Sequence, residues 1–382
     1  MTGFPPTEVM IIPAPTPFTI NVPDDVLTDL HNRLAHTRFL PDSRNRPPSG
    51  MTSEYLQELV ESWQSFDWRT REAELNTYPQ YIAEIDDCDL HFVHIRAERE
   101  DAPALLVMHG WPHTFALQLE FANLLRDFHV VLPSLPGFAW SSAYRTGEWS
   151  TERVTETMLH LMTETLGYSH FFTYGEDVSA YVNDLLAARY PQHVDGIIAT
   201  HAHFPTDEEW AELTDPQELA FFRRLEESGG DAGGYGHQQA TRPDTLAAGL
   251  NDSPAGLLAW IVEKLVEWSD TPPGDPRQVE RLLSRERILT EAMIYWSTQS
   301  ISTSFAPYFE NNTTPEFPPV SVPAVVYIQR HEWDYPESLA RNYYRDLRVF
   351  ERLTEGGHFA VAEVPADMAN RVRDFATELG LL

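Results

Sequence analysis

The segment Tyr174-Gly175-Glu176-Asp177-Val178-Ser179, behind the apolar pair Phe171-Phe172, constrains this chain more than any other. It predicts a strand that ends in a sharp turn and passes at once into a helix from Ala180 to Tyr190. The pattern is small–x–nucleophile–x–small, a nucleophile elbow. Gly175 and Ser179 are small because strand and helix nearly touch there, and the residue between them is presented strained and exposed. That residue is Asp177, where a hydroxyl or thiol would serve acyl substrates. A carboxylate that attacks an sp³ carbon forms an ester, so the matching electrophiles are epoxides and alkyl halides. An ordinary strand–turn–helix also accommodates these six residues, so the rest of the chain has to decide.

Continuous apolar runs support a buried sheet. Leu90 to Ile95 alternates, and Ala104 to Met108 is apolar throughout, as in a parallel strand covered on both faces. His129 to Leu132, His170 to Tyr174 and Gly196 to Thr200 continue the series with helical segments between them. Helical periodicity then dominates from Pro205 to Leu289, and strand character returns at Ala324 to Ile328 and Val349 to Leu353 before a last helix from Ala366 to Leu379. The predicted fold class is α/β: an α/β-hydrolase fold with a mostly parallel central sheet, a helical cap insertion and an N-terminal helical extension. The predicted divisions are an extension over 1–95, core over 96–204, cap over 205–289 and core again over 290–382. In the extension, Pro23-Asp24-Asp25 opens one helix, with apolar Val26, Leu27, Leu30 and Leu34. A second runs through Tyr55, Leu56, Leu59, Val60 and Trp63, and the pair is expected to brace the cap.

Composition narrows the function classes. A formal net charge of −31 argues against a nucleic-acid partner and against an anionic membrane surface. Cys88 is the only cysteine, so no intrachain disulfide forms, which fits a cytoplasmic location. Met10-Ile11-Ile12 is short and is interrupted by Pro13, Pro15 and Pro17, so no signal peptide or membrane anchor is expected. Nothing in the sequence excludes a homodimer.

Three further segments carry chemistry. Met108-His109-Gly110-Trp111-Pro112 follows a buried strand, and a turn there brings the Trp111 N–H beside the Val178 N–H as an oxyanion hole. Gly356-Gly357-His358-Phe359 allows a tight loop that presents His358, last in the order nucleophile, acid, histidine. The acid should follow the strand Val325 to Gln329, where both Glu332 and Asp334 are available. His201-Ala202-His203 has the look of a metal pair, but no third ligand stands at a persuasive spacing, so no metal is expected. The helix from Trp260 to Trp268 reads as core packing.

With these residues in view the chain resembles the microsomal-type epoxide hydrolase family from Pro17 to the C-terminus. The resemblance is carried by Phe66-Asp67-Trp68-Arg69, Leu75-Asn76-Thr77-Tyr78-Pro79 and Leu90-His91-Phe92-Val93-His94. It continues through His109-Gly110-Trp111-Pro112, Pro133-Ser134-Leu135-Pro136-Gly137-Phe138, Arg242-Pro243-Asp244-Thr245, Leu250 to Leu257 and Gly356 to Phe359. It implies two tyrosines that hydrogen-bond the epoxide oxygen, which fall on Tyr235 after Gly234 and on Tyr308 ahead of Glu310-Asn311. By spacing to His358 it places the acid on Glu332 rather than Asp334.

The chain departs from the family pattern in three places. Val178-Ser179 stands where Trp-Gly is usual, Glu176 where Gly is usual, and His113-Thr114 where Gly-Ser is usual. Loss of an indole beside the nucleophile widens the pocket and hints at a bulky substrate, as in secondary metabolism. The resemblance implies an epoxide hydrolase that makes a vicinal diol without metal or organic cofactor, its partner a small-molecule epoxide. A haloalkane dehalogenase shares the Asp-His chemistry but has no use for paired cap tyrosines. A carboxylesterase would need Ser or Cys at position 177, and a non-catalytic binding protein would tend to lose members of the triad.

Overall fold

The computed structural model describes residues 14–46, 49–200, 207–311, 316–330, 332 and 334–382. Among these, the strands are β1 (Thr16–Phe18), β2 (Gln80–Ile85), β3 (Cys88–Ile95), β4 (Ala104–Met108), β5 (His129–Pro133), β6 (Phe171–Gly175), β7 (Val194–Ala199), β8 (Val320–Ile328) and β9 (Tyr344–Arg352). They form one sheet in the order β1-β2-β3-β5-β4-β6-β7-β8-β9. From β5 through β9 every neighbouring pair is parallel, while β1, β2 and β3 join antiparallel. β4, β5 and β6 are buried along their whole length, which is why their sequences are apolar runs rather than alternations.

The order reverses around β4: β5 lies on one side and β6 on the other. A crevice therefore opens beyond the carboxyl ends of these strands, where open α/β sheets carry their sites. The helices Phe115–Leu124 and Pro365–Glu378 pack together, as do Thr151–His160 and Val178–Arg189. Helices Asp207–Glu212, Pro216–Ala232, Gly234–Thr241, Pro243–Asp252 and Pro254–Trp268 form the insertion between β7 and β8.

The N-terminal helices, Asp24–Ala35 and Ser53–Gln64, pack on the last of these cap helices. Polar ties reinforce the contact: Arg33 pairs with Asp252 at 2.7 Å, Ser49 donates to Glu263 at 2.7 Å, and the Gly50 N–H donates to Glu267 at 2.9 Å. The two outer divisions drawn from sequence do not coincide with breaks in the structure. Residues 1–95 contribute β1, β2 and β3 to the central sheet, and position 289 falls inside the helix Arg285–Thr298. No described helix is long and apolar enough to cross a membrane.

Candidate active site

Asp177 sits between β6 and the helix Val178–Arg189, with φ +56° and ψ −128°. A non-glycine residue held there costs on the order of 1–3 kcal/mol, so the surrounding packing has to over-determine it. It does. A Cβ on Gly175 would lie 2.4 Å from the Ser179 carbonyl oxygen, so only glycine lets strand and helix approach this closely. Ser179 Oγ accepts from the Glu176 N–H at 3.0 Å and lies 3.1 Å from the Met108 carbonyl, tying the turn to β4.

The loop after β4 supplies the first contact to the carboxylate. The Trp111 N–H donates to Asp177 Oδ1 at 2.9 Å, and the Val178 N–H also points at this carboxylate. Gly110 is needed for that approach, since a Cβ there would sit 2.3 Å from Asp177 Cβ. His109 anchors the loop by accepting from the Leu135 N–H at 3.1 Å. Burial, followed by the neighbouring His113, pushes His109 down to about 3, so it stays neutral.

His358 arrives on the loop after β9. Its Nδ1 lies 2.7 Å from Glu332 Oε1, and its Nε2 lies 3.2 Å from Asp177 Oδ2. The second contact is close but not aligned as a hydrogen bond. Burial alone would lower the imidazole pKa; the carboxylates of Asp177 and Glu332 outweigh it and raise that pKa well above the ordinary value. Burial works to raise the Asp177 pKa, yet His358 and the two backbone N–H groups carry it below the ordinary value. The resting pair is therefore carboxylate and imidazolium. Asp334, the other acid, has an 88% exposed side chain 3.6 Å from Arg352.

Tyr235, at the start of the helix Gly234–Thr241, and Tyr308, in Ala306–Phe309, close the site from the cap side. Their rings meet edge to face at 5.9 Å; Tyr235 stacks on Trp111 at 5.4 Å, and Tyr308 stands edge-on to Trp111 at 6.1 Å. Burial and then the Asp177 charge raise both phenol pKa values, so both remain proton donors. Val178 is half-buried beside the nucleophile. The structure thus brings Asp177, His358, Glu332, Trp111, Val178, Tyr235 and Tyr308 together. His201 and His203 lie outside the described residues. Among the described residues no group of three His, Cys, Asp or Glu side chains could hold a metal ion.

Two site residues escaped sequence reasoning. Trp268, read as core, ends its helix against the site: its carbonyl accepts the His358 N–H at 2.8 Å and its ring lies 5.3 Å from the imidazole. Glu363 is buried and accepts from the N–H groups of Gly357, Phe359 and Asp270 at 2.9, 3.1 and 2.7 Å, which fixes the histidine loop. Neither carries a local motif. Their only signal is proximity in the fold.

Residues 15–118 match the family model described as the epoxide hydrolase N terminus, and residues 103–230 match the alpha/beta hydrolase fold. The chain is 31% identical to epoxide hydrolase 1 of Sus scrofa, with 96% of this chain and 88% of that protein covered. It superposes on the crystal structure of juvenile hormone epoxide hydrolase from the silkworm Bombyx mori with a TM-score of 0.85 at 25% identity, covering 98% and 97% of the two chains. The Aspergillus niger epoxide hydrolase structure is similar at a TM-score of 0.79 and 28% identity, covering 96% and 97%.

Proposed function

The chain belongs to the epoxide hydrolase family, and we propose that it adds water to a small-molecule epoxide through a covalent ester on Asp177. One observation carries this reading: a carboxylate with one oxygen on the Trp111 N–H and the other 3.2 Å from an imidazole that Glu332 orients.

The steps balance within these residues and water. Asp177 attacks an epoxide carbon, the C–O bond breaks, and the developing alkoxide takes a proton from the Tyr235/Tyr308 pair. Asp177 is now a neutral ester, so one of the two charges that kept His358 protonated has gone. The imidazolium proton then restores the tyrosine. Neutral His358 takes a proton from water as the water attacks the ester carbonyl, and the oxyanion forms on the oxygen held by the Trp111 and Val178 N–H groups. Collapse releases a vicinal diol and returns Asp177 to its carboxylate beside a protonated His358. The paired phenols favour this reading over halide displacement, because a halide leaves without needing a proton. With valine rather than an indole beside the nucleophile, the substrate is proposed to be bulky.

Acid-quenched protein incubated with a slow epoxide should carry the epoxide mass on the peptide containing Asp177. Asp177→Asn should neither carry that mass nor turn over. A fully active Asn variant together with an unmodified peptide would end the covalent reading.

A further inference from the structure

Glu176 and His113 are each 1% exposed, and each stands next to a group the reaction uses. Glu176 immediately precedes the nucleophile. His113 lies two residues beyond Trp111, in the loop that supplies the oxyanion donor. In sequence both are departures from the family pattern, 63 residues apart, yet in the structure they meet: His113 Nε2 lies 2.7 Å from Glu176 Oε1.

The carboxylate is fully engaged. Gln118 Nε2 donates to the same oxygen at 3.0 Å, and the Tyr174 hydroxyl donates to Oε2 at 2.6 Å. His113 Nε2 also lies 3.3 Å from the Gly110 nitrogen. One ring nitrogen cannot donate to Glu176 and accept from Gly110 at once, and the shorter contact to a carboxylate decides in favour of donation. His113 packs edge-on against Phe359 at 5.1 Å, and the next residue, Thr114, donates to buried Glu291 at 3.2 Å while capping the helix Phe115–Leu124. The network therefore joins the end of β6, the elbow, the oxyanion loop and the following helix through one carboxylate. A buried carboxylate is costly without its donors, so Glu176 and His113 act as one unit.

We propose that Glu176 and His113 are a coupled pair of positioning residues that hold the Trp111 N–H on Asp177, and that they serve the hydrolysis half-reaction. This rests on the covalent reading above. Alkylation draws charge off the Asp177 carboxylate and places it on the epoxide oxygen, away from Trp111. Hydrolysis builds charge on the oxygen that Trp111 holds, so a slackened loop affects the second step. The negative charge of Glu176 by itself would oppose that oxyanion, so the pair acts by geometry and not by field.

The test is single-turnover acid quench with styrene oxide, reading ester formation and ester decay separately. In Glu176→Gln the amide cannot accept from all three donors. Ester decay should slow on the order of tenfold, a fraction of what a lost oxyanion donor costs, while formation changes by less than about threefold. His113→Gln should behave alike, and Glu176→Gln with His113→Gln together should be no slower than either alone. Unchanged or faster decay, equal slowing of both steps, or effects of the two substitutions that multiply would each overturn the proposal. Amide hydrogen exchange at residues 109–111 gives a readout independent of chemistry: exchange should quicken in both single variants, and unchanged protection overturns the pair. If wild type makes diol with no adduct on Asp177, the covalent reading fails and the exchange experiment still judges the pair. Should the single variants not fold, Glu176→Gly with His113→Gly is measured in the same ways, with slower decay and faster exchange expected and wild-type values overturning the proposal.

Discussion

Replacing Glu332 by Gln separates the two acids that follow β8. Glu332 lies 2.7 Å from His358 Nδ1, and both side chains are largely shielded from solvent. A hydrogen bond to a charged group at such a site contributes about 1.5–3 kcal/mol. At 1.36 kcal/mol per decade, its loss slows ester hydrolysis roughly 10- to 150-fold. Asp334 has an exposed side chain 3.6 Å from Arg352, and pairs of that kind contribute about 0–1 kcal/mol. Asp334→Asn should therefore leave hydrolysis nearly unchanged. The assay is decay of the Asp177 adduct after acid quench, because steady-state turnover mixes the half-reactions. Burial lowers the His358 pKa and the flanking carboxylates raise it, with a net rise. Hydrolysis needs the neutral ring, so its rate climbs as pH rises through the pKa the imidazole has in the ester intermediate. In the ester intermediate Glu332 is the carboxylate of the pair that still bears charge. Its removal lowers the pKa, and the rising limb of the hydrolysis profile moves to lower pH. A larger effect from Asp334→Asn, or a limb that moves to higher pH, would refute the assignment of Glu332.

His358→Gln should form the ester at a near-normal rate and then retain it, seen as a burst of one equivalent followed by slow release. Tyr235→Phe and Tyr308→Phe should each slow alkylation by about 10²–10³, the scale of one lost donor to a developing oxyanion, and the double variant should nearly abolish it without altering ester decay. Near-normal opening by the double variant would remove the tyrosines from the mechanism. Away from the site, Asp184 is buried, accepts from the Tyr344 hydroxyl at 2.7 Å, and is pushed up to about 7 chiefly by burial. A carboxyl with a folded pKa above its unfolded value stabilises the fold at low pH, and that contribution is lost as pH rises towards 7. Asp184→Asn mimics the protonated form, so its Tm should fall less than that of wild type between pH 5 and pH 8. An equal or steeper fall counts against that reading of Asp184.

Much of the site is legible in the sequence because its demands are local. The elbow needs Gly175 and Ser179 within four positions of each other, and the apolar runs of β4 and β6 mark the strands that end at the site. Tyr235 and Tyr308 are different. Nothing in their immediate neighbours distinguishes them among fifteen tyrosines, and only the longer family pattern points to them. β1 and β2 carry no local signal because their pairing is set from a distance: Asn76 holds the backbone of Ile20 through both the oxygen and the nitrogen of its side-chain amide, and the Val22 N–H donates to Glu72. Short polar-edged segments of this kind become strands only when a sheet edge is offered to them. Trp268 and Glu363 were invisible for the same reason, since each acts on the His358 loop through the folded backbone.

The two half-reactions require opposite properties of one imidazole, and the arrangement of charge explains how both can be met. Before attack, His358 lies between Asp177 and Glu332, and a protonated ring there offsets carboxylate charge that burial would otherwise penalise. Burial is the largest single effect on His358 and favours its neutral form, so the cation depends on its neighbours. Esterification neutralises the neighbour on the Nε2 side, the side from which water must be deprotonated. Glu332 remains on Nδ1 and keeps the ring oriented. The nucleophile thus acts as the switch for its own deprotection: while charged it holds the base protonated, and once alkylated it releases the base. Asp177→Asn removes that negative charge permanently and should lower the His358 pKa, measurable by imidazole NMR in the two proteins. An unchanged imidazole titration would mean that His358 is set by Glu332 alone and that the switch does not exist.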